Sequence, residues 1–127
     1  MAQVLALSVL AGLFALLGVL FLWQPDWGGD IFGIRAAGRE AQTYVRVVAI
    51  RDLALAAFIA GLTLFAERRG LVILLGLTVL IPIGDLVLIV SEGDDPRPWH
   101  LALHAASAIT FAGMCAWLRS GRANEER

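Results

Sequence analysis

The stretch YVRVVAIRD, residues 44–52, heads a long apolar run yet carries Arg46, Arg51 and Asp52. Two later runs carry their own polar groups: Asp85 in IPIGDLVLIV, and His100 and His104 in the last apolar stretch. A guanidinium, two carboxylates and an imidazole are the parts of acid–base chemistry. Arg51 could hold one carboxylate ionised and bind a substrate oxygen, the second carboxylate could act as an acid, and His104 could shuttle the proton. Asp52, Asp85 and His104 are thus the candidate catalytic residues. Arg51, Tyr44 and Ser107 are candidates for substrate binding. Tyr44 lies seven residues before Arg51 on the same helical face, and Ser107 continues the stripe of His100 and His104.

The host of these residues is strongly apolar. The chain of 127 residues is 59% hydrophobic, with a mean hydropathy of +0.78, a composition that points to an integral membrane protein. All ten basic residues are arginine, which excludes Schiff-base and amine-nucleophile mechanisms, and the net charge of −1 gives no footprint for nucleic acid. The single cysteine, Cys115, sits in an apolar run and reads as a buried inert thiol. No phosphate-binding glycine loop, serine nucleophile elbow or CxxC is present.

Four runs are long enough to cross a bilayer, at roughly residues 3–24, 42–66, 70–91 and 99–119. They predict an all-α, four-helix transmembrane bundle forming one integral membrane domain, with no soluble domain beside it. The first run lacks a basic leader and a small-residue cleavage site, so it reads as a retained helix. The Glu67-Arg68-Arg69-Gly70 turn parts the second and third runs. Pro25 with Gly28 and Gly29 ends the first, and Gly93, Pro96 and Pro98 precede the last. In the longest connection, residues 25–41, the apolar Ile31-Phe32-Gly33-Ile34 segment suits a short interfacial or re-entrant helix. Pro82 predicts a kink just before Asp85.

Four spans put both termini and the 67–69 turn on one face, with Arg68, Arg69, Arg119, Arg122 and Arg127. The other face has Arg35, Arg39 and Arg97 among Asp26, Asp30, Glu40, Glu92, Asp94 and Asp95. The arginine bias therefore places both termini in the cytoplasm, in what reads as a plasma-membrane protein. Trp23, Trp27 and Trp99 would anchor the outer interface and Trp117 the inner one.

An Arg or Asp at a helix centre costs about 2.5–3.5 kcal/mol on the insertion scale, so Arg46, Arg51 and Asp52 together would cost on the order of 8–10 kcal/mol, against about 5 kcal/mol from the large apolar residues of that span. Arg46 is only about 6 Å inside the outer end and can snorkel. Arg51 and Asp52 lie about 14 Å deep and require partners from other helices. Adjacent helical residues point about 100° apart, so Arg51 and Asp52 are not expected to form a good pair alone. Asp85, about 9 Å from the same end, and His104 are the expected partners.

Three functional classes fit such a cluster. The first is a membrane-embedded acid–base enzyme of isomerase, epoxide-opening or cyclase type, acting on a lipophilic small molecule without a cofactor. The second is a proton-coupled transporter, for which four helices would require at least a homodimer. The third is a polar clasp that fixes helix packing and does no chemistry. His100 and His104 have helical metal-ligand spacing, but no flanking Glu or cysteine cluster accompanies them, and no metal is assigned.

The segments FGI at 32–34, YVRVVAIRD at 44–52, IPIGD at 81–85 and His104, in that order, resemble those of a group of small bacterial and fungal four-helix integral membrane proteins of unknown function. The resemblance spans the full chain and implies the bundle. It implies no activity.

Overall fold

The computed structural model describes residues 1–65, 68–93 and 96–125, with side chains described up to residue 120. Among the described residues six helices follow one another: α1 Ala2–Trp23, α2 Pro25–Phe32, α3 Gly38–Phe65, α4 Arg68–Thr78, α5 Leu80–Glu92 and α6 Pro98–Glu125. Helices α4 and α5 form one span broken at Val79, so among the described residues four helical rods are long and apolar enough to cross a membrane. The protein is an all-α transmembrane bundle. Glu67 of the expected turn and the outer-face Asp94 and Asp95 lie outside the described residues, as do the side chain of Arg122 and the whole of Arg127.

The break at Val79 has a local cause. Pro82 offers no N–H to the carbonyl of Thr78, four residues back, and its ring crowds that carbonyl. The next bond, from Ile83 N–H to Val79 O, is stretched to 3.4 Å. Thr78 is buried and its hydroxyl donates to Leu74 O at 2.8 Å. The kink expected from Pro82 is therefore a change of direction one turn ahead of it, and it sets the angle from which Asp85 enters the bundle.

The rods pack as two pairs. Helix α1 lies along α3, and α6 lies against α4 and α5. The α1–α3 approach depends on Gly18: a Cβ there would stand 2.6 Å from Leu53 Cγ and 2.9 Å from the backbone oxygen of Ala49. A small residue at this point lets two backbones meet, the usual route to close packing between helices in lipid.

The pairs close on each other in the half that holds the termini. Leu7 and Leu10 of α1, Leu55 and Ile59 of α3, Leu71 and Leu75 of α4, and Phe111 and Leu118 of α6 form one buried apolar core there. Phe14 meets Phe111 across the pairs with ring centroids 5.4 Å apart. In the opposite half the pairs stand apart, and the connection between α1 and α3 fills part of the gap.

That connection contains α2, eight residues of helix that start at Pro25 and end at Phe32, so the short helix or re-entrant piece expected at residues 31–34 lies earlier in the chain and only Ile31 and Phe32 of that segment belong to it. Pro25 occupies its first turn, where a missing N–H removes no bond. Gly33 ends it in the left-handed region at φ 97°, which glycine adopts without strain. Gln42 Nε2 donates to Asp26 Oδ1 at 2.9 Å and ties α2 to the head of α3. Helix α3 begins at Gly38, ahead of the expected span.

Candidate functional site

Arg51 projects from α3 toward α5 and joins the two pairs of rods. Its Nη1 donates to Asp85 Oδ1 at 3.5 Å, while Nη2 and Nε donate to Asp52 Oδ1 at 3.2 and 3.3 Å. The direct Arg51–Asp52 contact departs from the sequence reading. The two Cα–Cβ directions diverge as expected, but the arginine stem is long enough to fold back onto the next residue while its other terminal nitrogen still reaches Asp85. The cation therefore bridges two carboxylates instead of choosing one. Asp52 and Asp85 are buried, and the Arg51 side chain retains 35% of its exposure.

His104 completes the cluster from α6. Its Nδ1 lies 3.5 Å from Asp85 Oδ2. Its Nε2 lies 3.1 Å from the carbonyl oxygen of Phe32, at the end of α2. A carbonyl only accepts, so Nε2 carries a hydrogen and donates. Nδ1 and Asp85 Oδ2 then face each other as two acceptors, a contact that is attractive only with one proton between them. The Phe32 ring packs edge-on against the imidazole, centroids 4.9 Å apart at 72°.

His100, one turn earlier, uses both ring nitrogens elsewhere. The backbone N–H of Arg97 donates to Nδ1 at 3.1 Å, which leaves Nε2 as the protonated nitrogen, donating to Asp30 O at 3.0 Å. The last carbonyls of a helix have no partner within it. Here two histidines of α6 satisfy two of those of α2. The shared face of His100 and His104, expected from their spacing, is thus directed at a helix terminus. Among the described residues no group of three or more His, Cys, Asp or Glu side chains is arranged to hold a metal ion.

Beside the cluster, between the two pairs of rods, lies a hollow of about 350 Å³. Arg51, Asp52, Asp85 and His104 occupy part of its wall, and the rest is mostly apolar, including Leu13, Phe14, Leu17, Ile81 and Phe111. Ser107 also lines it, with its hydroxyl donating to Leu103 O at 3.0 Å. The apolar core continues directly below, since Leu10, Leu55 and Phe111 belong to both.

Tyr44 does not reach this hollow. It is 74% exposed and borders a separate hollow with Arg35, Val45 and Val48. Same-face spacing is satisfied, but seven residues amount to about 10 Å along a helix axis, and the end of α2 occupies the space between. Arg46 is exposed, eight residues beyond the start of α3 at Gly38. Cys115 donates to Val72 O at 3.4 Å beside the core. Sequence reasoning missed the Phe32 carbonyl, which orients His104. The signal available was Phe32-Gly33 itself: a glycine suited to a helix C-terminus, just after an apolar residue.

The sequence model of a family described as a domain of unknown function, DUF4267, matches residues 11–118. The protein belongs to this family. The match runs from α1 into α6, so it takes in every residue of the DUF4267 bundle that lines the hollow except Leu10. No curated protein and no solved structure matches the chain.

Proposed function

We propose that this DUF4267 protein is a membrane-embedded acid–base enzyme acting on a lipophilic small molecule held in the hollow between the helix pairs. The observation that carries this reading is an apolar-walled hollow of about 350 Å³ with four ionisable side chains along one part of its wall. Small-molecule sites are typically about 300–1,000 Å³, mostly apolar, with few convergent polar groups. A clasp alone would be expected to pack tightly and leave no such space.

Asp85 and His104 hold the exchangeable proton, and Arg51 keeps the carboxylates in place. The Phe32 carbonyl fixes the imidazole so that Nδ1 addresses Asp85. Proton transfer of this kind serves isomerisation, epoxide opening or cyclisation, and each proceeds without a cofactor. The same reading puts the hollow in the outer half of a plasma membrane with both termini cytoplasmic, as the arginine bias favours. The dry core between the hollow and the cytoplasmic side argues against a through-path for protons.

The test is to purify the protein in native-lipid discs, extract bound small molecules and identify them by mass spectrometry. A lipophilic metabolite that is retained by the wild type, lost from Ser107→Phe and converted on prolonged incubation supports the proposal. Identical lipid extracts from the wild type and from Ser107→Phe would count against it.

A further inference from the structure

Asp52 is the member of the cluster with capacity to spare. It lines the hollow and is 4% exposed. Both hydrogen bonds it receives, from Arg51 Nε and Nη2, end on Oδ1. Its Oδ2 accepts no hydrogen bond from any described residue. This oxygen is not sealed in the core, and in the wall of the hollow it is free to receive a hydrogen bond from a bound molecule. Asp85 differs, because both of its oxygens are engaged, by Arg51 and by His104.

The charges point the same way. The one cation of the cluster is already engaged: Arg51 meets both Asp52 and Asp85, and Asp85 also meets His104. An ionised ligand head in this mostly apolar hollow would have to compete for those partners.

We infer that the hollow takes an uncharged lipophilic molecule carrying a hydroxyl group and, a few bonds away, a carbonyl or epoxide oxygen, with Asp52 Oδ2 receiving the hydroxyl hydrogen and the Asp85–His104 pair donating to the second oxygen. This rests on the acid–base reading of the hollow and adds the substrate class and a division of labour between the carboxylates. The step balances within the site. The hydroxyl O–H bond breaks and its proton passes to Asp52. The freed oxygen bonds to the carbon that bears the second oxygen. That oxygen takes the proton held between Asp85 and His104 as its C=O π bond, or the epoxide C–O bond, breaks. The product is a cyclic isomer of the substrate, the total charge of the site is unchanged, and proton exchange with solvent restores the starting state. At about 30 Å³ per water, the hollow holds on the order of a dozen water-sized groups, which bounds the size of the molecule.

Three uncharged or charged probes of similar length separate the outcomes: 5-hydroxydecan-2-one, decanoate and decylamine. Each is added to the full chain in lipid discs, and retention is read by native mass spectrometry for wild type, Asp52→Asn and Ser107→Phe. Retention of the hydroxyketone about tenfold above the other two, lowered about tenfold in Asp52→Asn, is the expected result. Preferential retention of decanoate or decylamine that Ser107→Phe abolishes overturns the inference while leaving the hollow a binding site. Retention that Ser107→Phe does not alter, or no retention of any probe, overturns the acid–base reading with it. The comparison of three probes on the unmodified chain needs no variant to fold.

Discussion

Replacing Asp85 by Asn and by Ala should separate the charge of this residue from its hydrogen bonds. In the wild type it meets Arg51 Nη1 and His104 Nδ1, each at 3.5 Å. A unit charge pair at that distance is worth about 5 kcal/mol at an effective dielectric of 20, before the cost of burying the carboxylate, itself several kcal/mol, is subtracted. The Arg51 side chain is about one-third exposed and keeps its bonds to Asp52, which reduces the loss further. Asn retains both contacts, because its carbonyl accepts from Arg51 and its amide donates to neutral His104. Asp85→Asn should therefore destabilise by about 1–2 kcal/mol, whereas Asp85→Ala, which removes both contacts and leaves the guanidinium without its second partner, should cost about 3–5 kcal/mol. Equilibrium unfolding by denaturant titration in mixed micelles, followed by circular dichroism, measures both. The proton is a separate matter: Asn cannot relay it, so turnover of an identified substrate should fall about 10²–10⁴-fold in a variant that remains folded. Equal stability losses for Asn and Ala, or losses below about 0.5 kcal/mol in both, would refute the bridging role assigned to Asp85.

Two further substitutions test the frame around the site. Gly18→Ala gains up to about 1 kcal/mol of helix propensity, but its Cβ meets the immovable Ala49 carbonyl at 2.9 Å, so a net loss of about 1–2 kcal/mol is expected in the same titration, and Gly18→Leu should lose more. Gly33→Ala must hold a side chain at φ 97° with its Cβ 3.0 Å from His100 Cγ; a loss of about 2 kcal/mol and a shifted His100 imidazole signal in NMR should appear together.

Much of this arrangement is legible in the residues because the membrane leaves few solutions for a buried charge. Arg51 and Asp52 lie too deep in one apolar run to escape singly, and helical rise puts Asp85 and His104 near the same level. Pro82 announces the break that turns Asp85 inward. What stays hidden is whatever depends on backbone groups or side-chain reach. A short helix in this connection is legible from its apolar residues and Gly33, but not that its last carbonyl would meet His104 or that its end would stand between the cluster and Tyr44. The Arg51–Asp52 bond escapes a rule about Cβ directions because a side chain with four rotatable bonds is not bound by them.

The apolar core beneath the hollow closes it on the side of the termini. Leu7, Ile59, Leu75 and Phe111 are almost wholly inaccessible and sit where any continuation toward the termini would have to run. On the proposed reading, a compound that enters cannot pass on toward the termini and returns through the half where the helix pairs stand apart. Occupancy would then follow how strongly each compound prefers the surrounding bilayer, and a product more lipophilic than its precursor would clear the hollow by partitioning away.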